Sequence, residues 1–385
     1  MTRPGFTNPR WPGPAQRLLL KAAFGDGVEA GTAWRDWVHG GGLVDPVDYA
    51  SYEILPLAMT NLAARGMEVP EAGVLRGLHR RTWYQNRVML ARVAAVVTAL
   101  EAASIPSMLL KGGALVSLYY RDAGQRAMVD IDLLVHRADT DRAFAVLRGL
   151  GWEHAVRRRK VLARIRRFMH GTAFRSGDME LDLHSAVMME SRPTGAEPAL
   201  WSRAEPVAIE GAHGMAMGRE DLLIHVIVHS YRWAPSASLR WITDVMAILA
   251  RDTAPLDWTL LVREARRMRV TLMVERSLRY LSLELGAEVP PDVVAQLAAS
   301  PRGVLERLHY RANDSRPGVL NAALLDVTYY LRVSTGRPLR WRIIDAPAYF
   351  QLVWRVSTPW GLPREISRRV AGKVREGRRT PLRRT

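Results

Sequence analysis

Cysteine is missing from all 385 residues of the sequence. Disulfide bonds, thiolate metal ligands and cysteine nucleophiles are therefore excluded, and any bound metal has to be held by oxygen or imidazole ligands. Long apolar runs are missing too, since no stretch approaches the roughly 18 residues of a membrane span. The N-terminal leader has a run of only three leucines, too short for the core of a signal peptide. We therefore expect a cytoplasmic protein without a transmembrane segment.

Acidic residues are scarce relative to basic ones, with 38 Asp and Glu against 55 Lys and Arg and a net charge of +17. Most of the excess falls in two segments, 156–167 and 361–385. Such clusters attract the phosphate groups of nucleotides, RNA or anionic lipid. A solvated helix face and a disordered tail explain them equally well. The basic tail is thus a candidate contact for nucleic acid or an anionic surface, and the alternative stays open.

Internal repeats and low-complexity tracts are also absent, but the hydrophobic period changes along the chain. Residues 15–104 have a mostly helical pattern, clearest at 86–104, and a helical pattern returns from about residue 219. The length and the hydrophobic content of 48% are sufficient for two or three subdomains.

Between the helical regions the pattern indicates strand, turn, helix, strand and helix. "SMLL" (107–110) predicts a short strand that leads into "KGG" (111–113) and a helix. "VDIDLLV" (129–135) predicts the second strand, and "DTDRAFAVLRGL" (139–150) predicts an amphipathic helix. The alternation in "MELDLHSAV" (179–187) predicts a later, half-buried strand.

Acidic side chains share one face of each of the two later strands. Asp130 and Asp132 converge because alternate side chains of a strand lie on the same side. Two carboxylates that close in a low dielectric need protonation, cationic partners or a divalent metal. Glu180, Asp182 and His184 likewise share a face, so a further acidic strand follows the first pair by about fifty residues.

These motifs together resemble the DNA polymerase β-like nucleotidyltransferase superfamily, in particular its branch of uncharacterised nucleotidyltransferases. The matching stretches are "LLKGGALVSLYY" (109–120), "RAMVDIDLLV" (126–135) and "MELDLH" (179–184). The similarity extends into the flanking helices over residues 30–260. It implies an α+β fold in which a small polymerase β-like core, a mixed sheet with helices, is embedded between helical N- and C-terminal regions.

The resemblance also implies a division of the chain into four regions. We expect a helical N-terminal region, a nucleotidyltransferase catalytic core, a helical substrate-side domain and a C-terminal helical region that carries the basic tail. The corresponding residues are 1–104, 105–215, 216–300 and 301–385.

Catalytic and metal-binding roles fall by this resemblance on Asp130, Asp132 and Asp182, with Mg²⁺ or Mn²⁺ as the cofactor. Nucleotidyl transfer needs a metal that bridges the triphosphate, and in the two-metal form a second ion activates the attacking hydroxyl. We expect Asp130 and Asp132 to bind the nucleotide-associated metal. Asp182 is expected to share the second metal and to help the acceptor lose its proton.

Nucleotide binding is expected from Lys111, Gly112, Gly113 and Arg126. The glycines let backbone N–H groups approach the β and γ phosphates, and the two cations are candidate phosphate contacts. Better-known members of the superfamily have Gly-Ser at the Gly-Gly position, where the serine contacts the triphosphate. In this chain Lys111 or backbone amides have to replace that contact.

Four further residues are candidates with a structural alternative. Glu180 could exchange roles with Asp182, and His184 either orients an acid or is a hydrogen-bonded structural histidine. Arg240 and Asp244 lie one helical turn apart and either line the cleft or form an i, i+4 ion pair.

The function we expect is Mg²⁺-dependent transfer of a nucleoside monophosphate, with AMP favoured, from an NTP to a hydroxyl or phosphate of an unidentified acceptor. Pyrophosphate is released, and the acceptor is a small molecule, a peptide or RNA. One alternative is a non-catalytic nucleotidyltransferase-fold module that binds RNA or a protein partner, as in a toxin–antitoxin pair. A less favoured one is a glycosyltransferase that uses Asp-x-Asp to hold a metal-bound nucleotide sugar.

Overall fold

The structure is a computed structural model of the chain. It describes residues 6, 10–43, 47–155, 168–191, 195–231, 238–251, 255–314, 318–354, 356 and 358–368. The basic segment 156–167 lies outside the described residues, and so do residues 369–385 of the basic tail.

Helices form the described residues that precede the sheet. Pro14 occupies the first position of the first helix, where its missing N–H and fixed φ are tolerated. Asp48 caps the third helix, since its side chain accepts a hydrogen bond from the backbone N–H of Ser51. The fourth helix contains the one predicted at 86–104 but begins earlier, at Ala72. The bounds are α1 (Pro14–Phe24), α2 (Gly27–His39), α3 (Tyr49–Ala64) and α4 (Ala72–Ala102).

Seven strands of the described residues form a mixed sheet. They are β1 (Ser107–Leu109), β2 (Ile131–Val135), β3 (Glu153–His154), β4 (Gly171–Ser176), β5 (Met179–His184), β6 (Glu205–Ile209) and β7 (Ala212–Ala216). Their order across the sheet is β3-β4-β5-β2-β1-β7-β6. The sheet is mixed because β2 runs antiparallel to β1 but parallel to β5, and β1 runs parallel to β7.

The predicted order of strand, helix, strand and helix is confirmed, but the turn predicted at 111–113 forms the first turn of the helix that follows β1. Helix α5 (Lys111–Leu118) connects β1 to β2, and α6 (Thr140–Gly149) follows β2. The second strand was predicted to start at residue 129, but β2 begins at Ile131, where its pairing with β5 begins. The strand predicted at 179–187 ends at His184, the last residue that pairs with β4. Asp130 therefore lies immediately before a strand and not inside it.

Strand β2 is buried on both faces because the sheet lies between two hydrophobic cores. Leu133 and Val135 pack into the core that includes the apolar stripe of α4. Leu134, which lies on the opposite face, belongs to the core shared with the N-terminal helices and the helices after the sheet. The face that carries Asp132 is thus covered by helices from distant parts of the sequence.

The helical pattern expected from about residue 219 is confirmed. Helix α7 (Glu197–Ser202) precedes β6, and the remaining helices follow β7. They are α8 (Arg219–Ser230), α9 (Arg240–Leu249), α10 (Trp258–Arg267), α11 (Thr271–Leu285), α12 (Pro291–Ala298), α13 (Val304–Asp314), α14 (Val319–Val333) and α15 (Leu339–Val353). Within the described ranges, the helices are all too short or too polar to span a bilayer.

The chain is thus an α+β protein whose mixed sheet is embedded between helical N- and C-terminal regions, as the sequence predicted. The four-region division at 1–104, 105–215, 216–300 and 301–385 stays a proposal. One hydrophobic core contains residues from all four of these regions, with Tyr310 from the last, so they pack as neighbours and share apolar surface.

Candidate active site

The parallel pairing of β2 with β5 places acidic side chains next to each other. Asp132 lies opposite Asp182, and Leu134 lies opposite His184. Ligand atoms of Asp132, Asp182 and His184 all lie within 4.8 Å of one another. Two strands separated by about fifty residues in the sequence therefore build one potential metal site.

The Asp132 carboxylate has two close partners in an almost inaccessible position, since the residue is only 3% exposed. Lys111 Nζ donates a hydrogen bond to Asp132 Oδ1 at 2.6 Å, and His184 Nε2 lies 2.9 Å from the same oxygen. Burial by itself would raise the pKa of Asp132, but Lys111 and His184 outweigh burial and hold the pKa well below its usual value. Asp132 is therefore a permanently ionised acid in a low-dielectric position.

The two neighbouring acids, Asp130 and Asp182, have pKa values that are raised instead of lowered. Burial, followed by the charge of Asp132, raises the pKa of Asp130 and also that of Asp182. Lys111 partly offsets this effect at both positions. Three carboxylates thus share one cationic ammonium group. A divalent cation would relieve the remaining repulsion, and oxygen ligands of this kind suit Mg²⁺ or Mn²⁺.

The first turn of α5 is closely packed at both of its glycines. A Cβ on Gly112 would lie 2.8 Å from Arg126 Nη1, and a Cβ on Gly113 would lie 2.9 Å from Leu109 Cδ2. Lys111 has a φ of +44°, an uncommon value for a residue with a side chain. A serine at position 113 would require Leu109 to move, so the departure from Gly-Ser is matched by the local packing.

Asp244, which lies on α9, holds Arg126 beside this turn. Its guanidinium group donates two hydrogen bonds to Asp244, Nε to Oδ1 at 2.6 Å and Nη2 to Oδ2 at 2.9 Å. The Tyr120 hydroxyl donates to the same carboxylate at 2.7 Å. Burial would lower the pKa of Arg126, but the Asp244 carboxylate outweighs burial and raises it. Arg126 is therefore a fixed, charged group whose Nη1 lies next to Gly112.

Arg240 and Asp244 do not pair with each other, although their spacing allows an i, i+4 ion pair. Asp244 binds Arg126, and Arg240 Nε lies 3.0 Å from Glu53 Oε1 on α3. The positive charge of Arg240 opposes the rise in the pKa of Asp130, so this guanidinium lies within electrostatic range of the acids. Both residues therefore connect α9 to the site through different partners.

Glu180 occupies a different setting from Asp182. It is exposed on β5 and accepts a hydrogen bond from Arg175 Nε of β4 at 2.7 Å. His184, in contrast, is buried and contacts Asp132 directly. Of the two residues that share the face of Asp182, His184 is the one the structure brings into the cluster.

Asn86 is a residue of the site that the sequence reasoning missed. Its Nδ2 donates to the backbone oxygens of Ala123 and Arg126 at 2.6 Å each, and its Oδ1 accepts from Met128 N–H at 3.1 Å. The segment that leads to Asp130 is thus fixed by α4. The available signal was a polar residue within the apolar stripe of that helix.

Comparison with known proteins adds a family assignment. A family model described as "Uncharacterised nucleotidyltransferase" matches residues 50–286, which include every residue of the cluster. No curated protein matches the sequence.

Several solved structures have distant similarity to the chain. The crystal structure of an antigenic nucleotidyltransferase-like protein from Paracoccidioides brasiliensis is 16% identical, with a TM-score of 0.36, and covers 56% of this chain and 94% of its own. The solution structure of the antibiotic-resistance factor ANT(2″)-Ia is 16% identical, with a TM-score of 0.30 and coverages of 52% and 96%. The crystal structure of ANT(2″)-Ia in complex with adenylyl-2″-tobramycin is 15% identical, with a TM-score of 0.31 and coverages of 50% and 99%. Similarity at this level identifies neither a donor nor an acceptor for this chain.

Substitution of Asp132 should destabilise the fold. Asp132→Asn removes the carboxylate that contacts the half-buried Lys111 ammonium and His184, so we expect a loss of about 2 kcal/mol in the free energy of unfolding. Urea denaturation in the absence of divalent metal measures the change. Asp178→Asn, which removes an exposed carboxylate from the turn between β4 and β5, is the matched control and should leave stability unchanged. Equal stability of the two variants would contradict the assigned ion pair.

Substitution of Asp182 should have the opposite effect at neutral pH. Because its pKa is raised on folding, its ionised form costs free energy in the folded state, and that cost disappears as the pH falls through the raised pKa. Asp182→Asn should therefore stabilise the metal-free protein by up to about 1 kcal/mol near pH 7, and the gain should shrink in acid. Denaturation at a series of pH values tests this, and a gain that grows in acid would contradict it.

Asn86→Ala should loosen the segment before Asp130. The substitution leaves two buried carbonyls and one buried N–H without their partners, so we expect a loss of about 2 kcal/mol in the free energy of unfolding. Faster amide hydrogen exchange at residues 123–128 would locate the effect. Gln85→Ala, at an exposed position of the same helix, is the control. Unchanged exchange in Asn86→Ala would show that α4 does not hold this segment.

Proposed function

Since the chain belongs to a family of uncharacterised nucleotidyltransferases, we propose that it transfers a nucleoside monophosphate from an NTP to an acceptor and releases pyrophosphate. ATP is the favoured donor, and the acceptor supplies a hydroxyl or phosphate oxygen. The observation that carries the proposal is the register of β2 and β5, which brings Asp132, Asp182 and His184 together beside Lys111.

The acid cluster fits a divalent metal by its chemistry. Asp132 and Asp182 supply adjacent carboxylates, and Asp130 lies directly before β2, the strand that carries Asp132. We assign all three to Mg²⁺ or Mn²⁺, with His184 as a further ligand or as the residue that orients Asp132. When bound, the metal would neutralise charge on the triphosphate and make the acceptor oxygen more acidic.

Asp182 is the residue we assign to accept the proton of the acceptor. Burial and the neighbouring Asp132 raise its pKa in the metal-free protein, so Asp182 holds a proton more readily than Asp132 does. Asp132, whose pKa is lowered, is unsuited to that role because a weakly basic carboxylate does not hold a proton at neutral pH. The two acids on paired strands thus have different assigned roles, since Asp182 accepts the proton and Asp132 supplies a fixed negative charge.

Phosphate binding is assigned to Lys111, Gly112, Gly113 and Arg126. Arg126 is held rigidly by Asp244 with its Nη1 beside Gly112, so a cationic donor borders the backbone N–H groups that open α5. Lys111 combines a positive φ with a side chain that reaches Asp132. A strained backbone such as that of Lys111 is retained where the surrounding contacts hold it in place, as at ligand-binding turns.

A nucleotide-dependent thermal shift tests the proposal. With Mg²⁺, at a concentration about a hundredfold above Kd, the preferred NTP should stabilise the protein by about 3 kcal/mol, which corresponds to a rise of a few degrees in Tm. ATP, GTP, CTP and UTP are compared with and without the metal. Asp182→Asn should abolish the metal-dependent part, whereas the exposed Asp178→Asn should keep it.

The same assay, extended to a nucleotide sugar, has three other outcomes with different consequences. If none of the four NTPs shifts Tm, transferase activity is rejected in favour of a binding module for RNA or a protein partner. A shift with a nucleotide sugar in preference to every NTP would favour the glycosyltransferase. A shift that survives Asp182→Asn would remove Asp182 from the metal site.

A further inference from the structure

The C-terminal helical region exposes large apolar side chains at its surface. Trp360 is 89% exposed, Leu339 is 68% exposed and Ile343 is 65% exposed. Burial of such residues normally stabilises a fold, and exposed apolar patches mark interaction surfaces. We call these residues and their exposed neighbours the C-terminal apolar patch, and its members are Leu339, Trp341, Ile343, Ile344, Trp360 and Ile366.

An apolar groove is lined by two members of this patch, Leu339 and Ile343. It has a volume of about 500 Å³, and its other walls come from α14, from further residues of α15 as far as Phe350, and from Leu362. Leu362 lies two residues beyond Trp360 in the sequence. The groove therefore connects α15 with the segment that carries Trp360 and Ile366.

Basic residues are frequent in the part of the sequence that carries the C-terminal apolar patch. Residues 337–385 contain thirteen Arg and Lys against three Asp and Glu. Two of these acids already bind arginines, since Asp345 accepts from Arg337 at 2.6 Å and Glu365 accepts from Arg368 at 2.7 Å. Arg340 and Arg364 are exposed next to the patch. Among the described residues, the segment from 337 to 368 therefore combines exposed apolar groups with five arginines against two acids.

We propose that the C-terminal apolar patch docks on the surface of an anionic lipid bilayer. Tryptophan and branched aliphatic side chains enter the boundary between headgroups and acyl chains, and arginines bind lipid phosphates from its rim. Charge complementarity carries the choice of partner. The basic residues would contribute attraction only toward an anionic surface, and the apolar residues only toward one with an accessible hydrocarbon layer.

Other occupants fit these two features less well. Nucleic acid would satisfy the arginines, but it offers nothing that buries Leu339, Ile343 and Ile344. A second copy of the chain would bring two strongly positive surfaces together. Residues 369–385, which follow the patch in the chain, are mostly charged or small in sequence and supply few apolar side chains for the groove.

Vesicle flotation with the full chain tests the proposal. The protein should float with phosphatidylcholine vesicles that contain phosphatidylglycerol, should float much less with phosphatidylcholine alone, and should be released by high salt. Ile343→Ser/Trp360→Ser should weaken binding at least about tenfold. Arg340→Gln/Arg364→Gln should weaken it about fivefold for each arginine removed.

Val28→Ser/Val74→Ser is the matched control, because it removes two exposed apolar side chains from α2 and α4. It should bind vesicles like the wild type, and thermal melting confirms that every variant is folded. Absence of flotation with anionic vesicles overturns the proposal. Binding of a single-stranded RNA that is unaffected by Ile343→Ser/Trp360→Ser would assign the charge to nucleic acid. A dimer in light scattering that dissociates in that variant would assign the patch to self-association.

Discussion

A buried negative charge on the central strand is the constraint on which the candidate site depends. Asp132 lies in β2, which is covered on both faces, and a carboxylate there is stable only with partners in contact. Lys111 and His184 provide them from the first residue of α5 and from β5. The Asp132 backbone oxygen also accepts from Leu110 N–H at 3.0 Å. One residue thus couples the turn, the central strand and the later acidic strand.

Helices from outside the sheet then complete the site through polar contacts. Asn86 on α4 fixes the segment before Asp130, and Asp244 on α9 fixes Arg126 beside the glycine turn. Each contact is buried, so the loss of either partner would leave an unsatisfied group in a low dielectric. The helical regions are therefore part of the site's architecture. An isolated sheet with the same acids would hold neither the turn nor Arg126 in place.

The electrostatic arrangement explains why similar side chains would have different roles. Asp132 and Asp182 are opposite each other on paired strands, yet Lys111 and His184 lower the pKa of one while burial and the like charge raise that of the other. The local environment, and not residue type, separates a fixed counter-ion from a candidate base. The C-terminal apolar patch is a separate feature, built from α15 and the residues that follow it.

The sequence by itself determined the order of strands and helices around the two glycines and the set of side chains that share a face of β5, and its resemblance to a nucleotidyltransferase branch implied the α+β class. Period and alternation are local properties, so a single sequence carries them. It misplaced the start of β2 by two residues, because strand ends depend on the pairing partner. Only the tertiary structure decided that Asp132 faces Asp182, that Asp244 holds Arg126 instead of Arg240, and that Asn86 joins the site. These contacts connect residues 40 to 118 positions apart, and the hydrogen-bond register and packing that select them leave no local pattern.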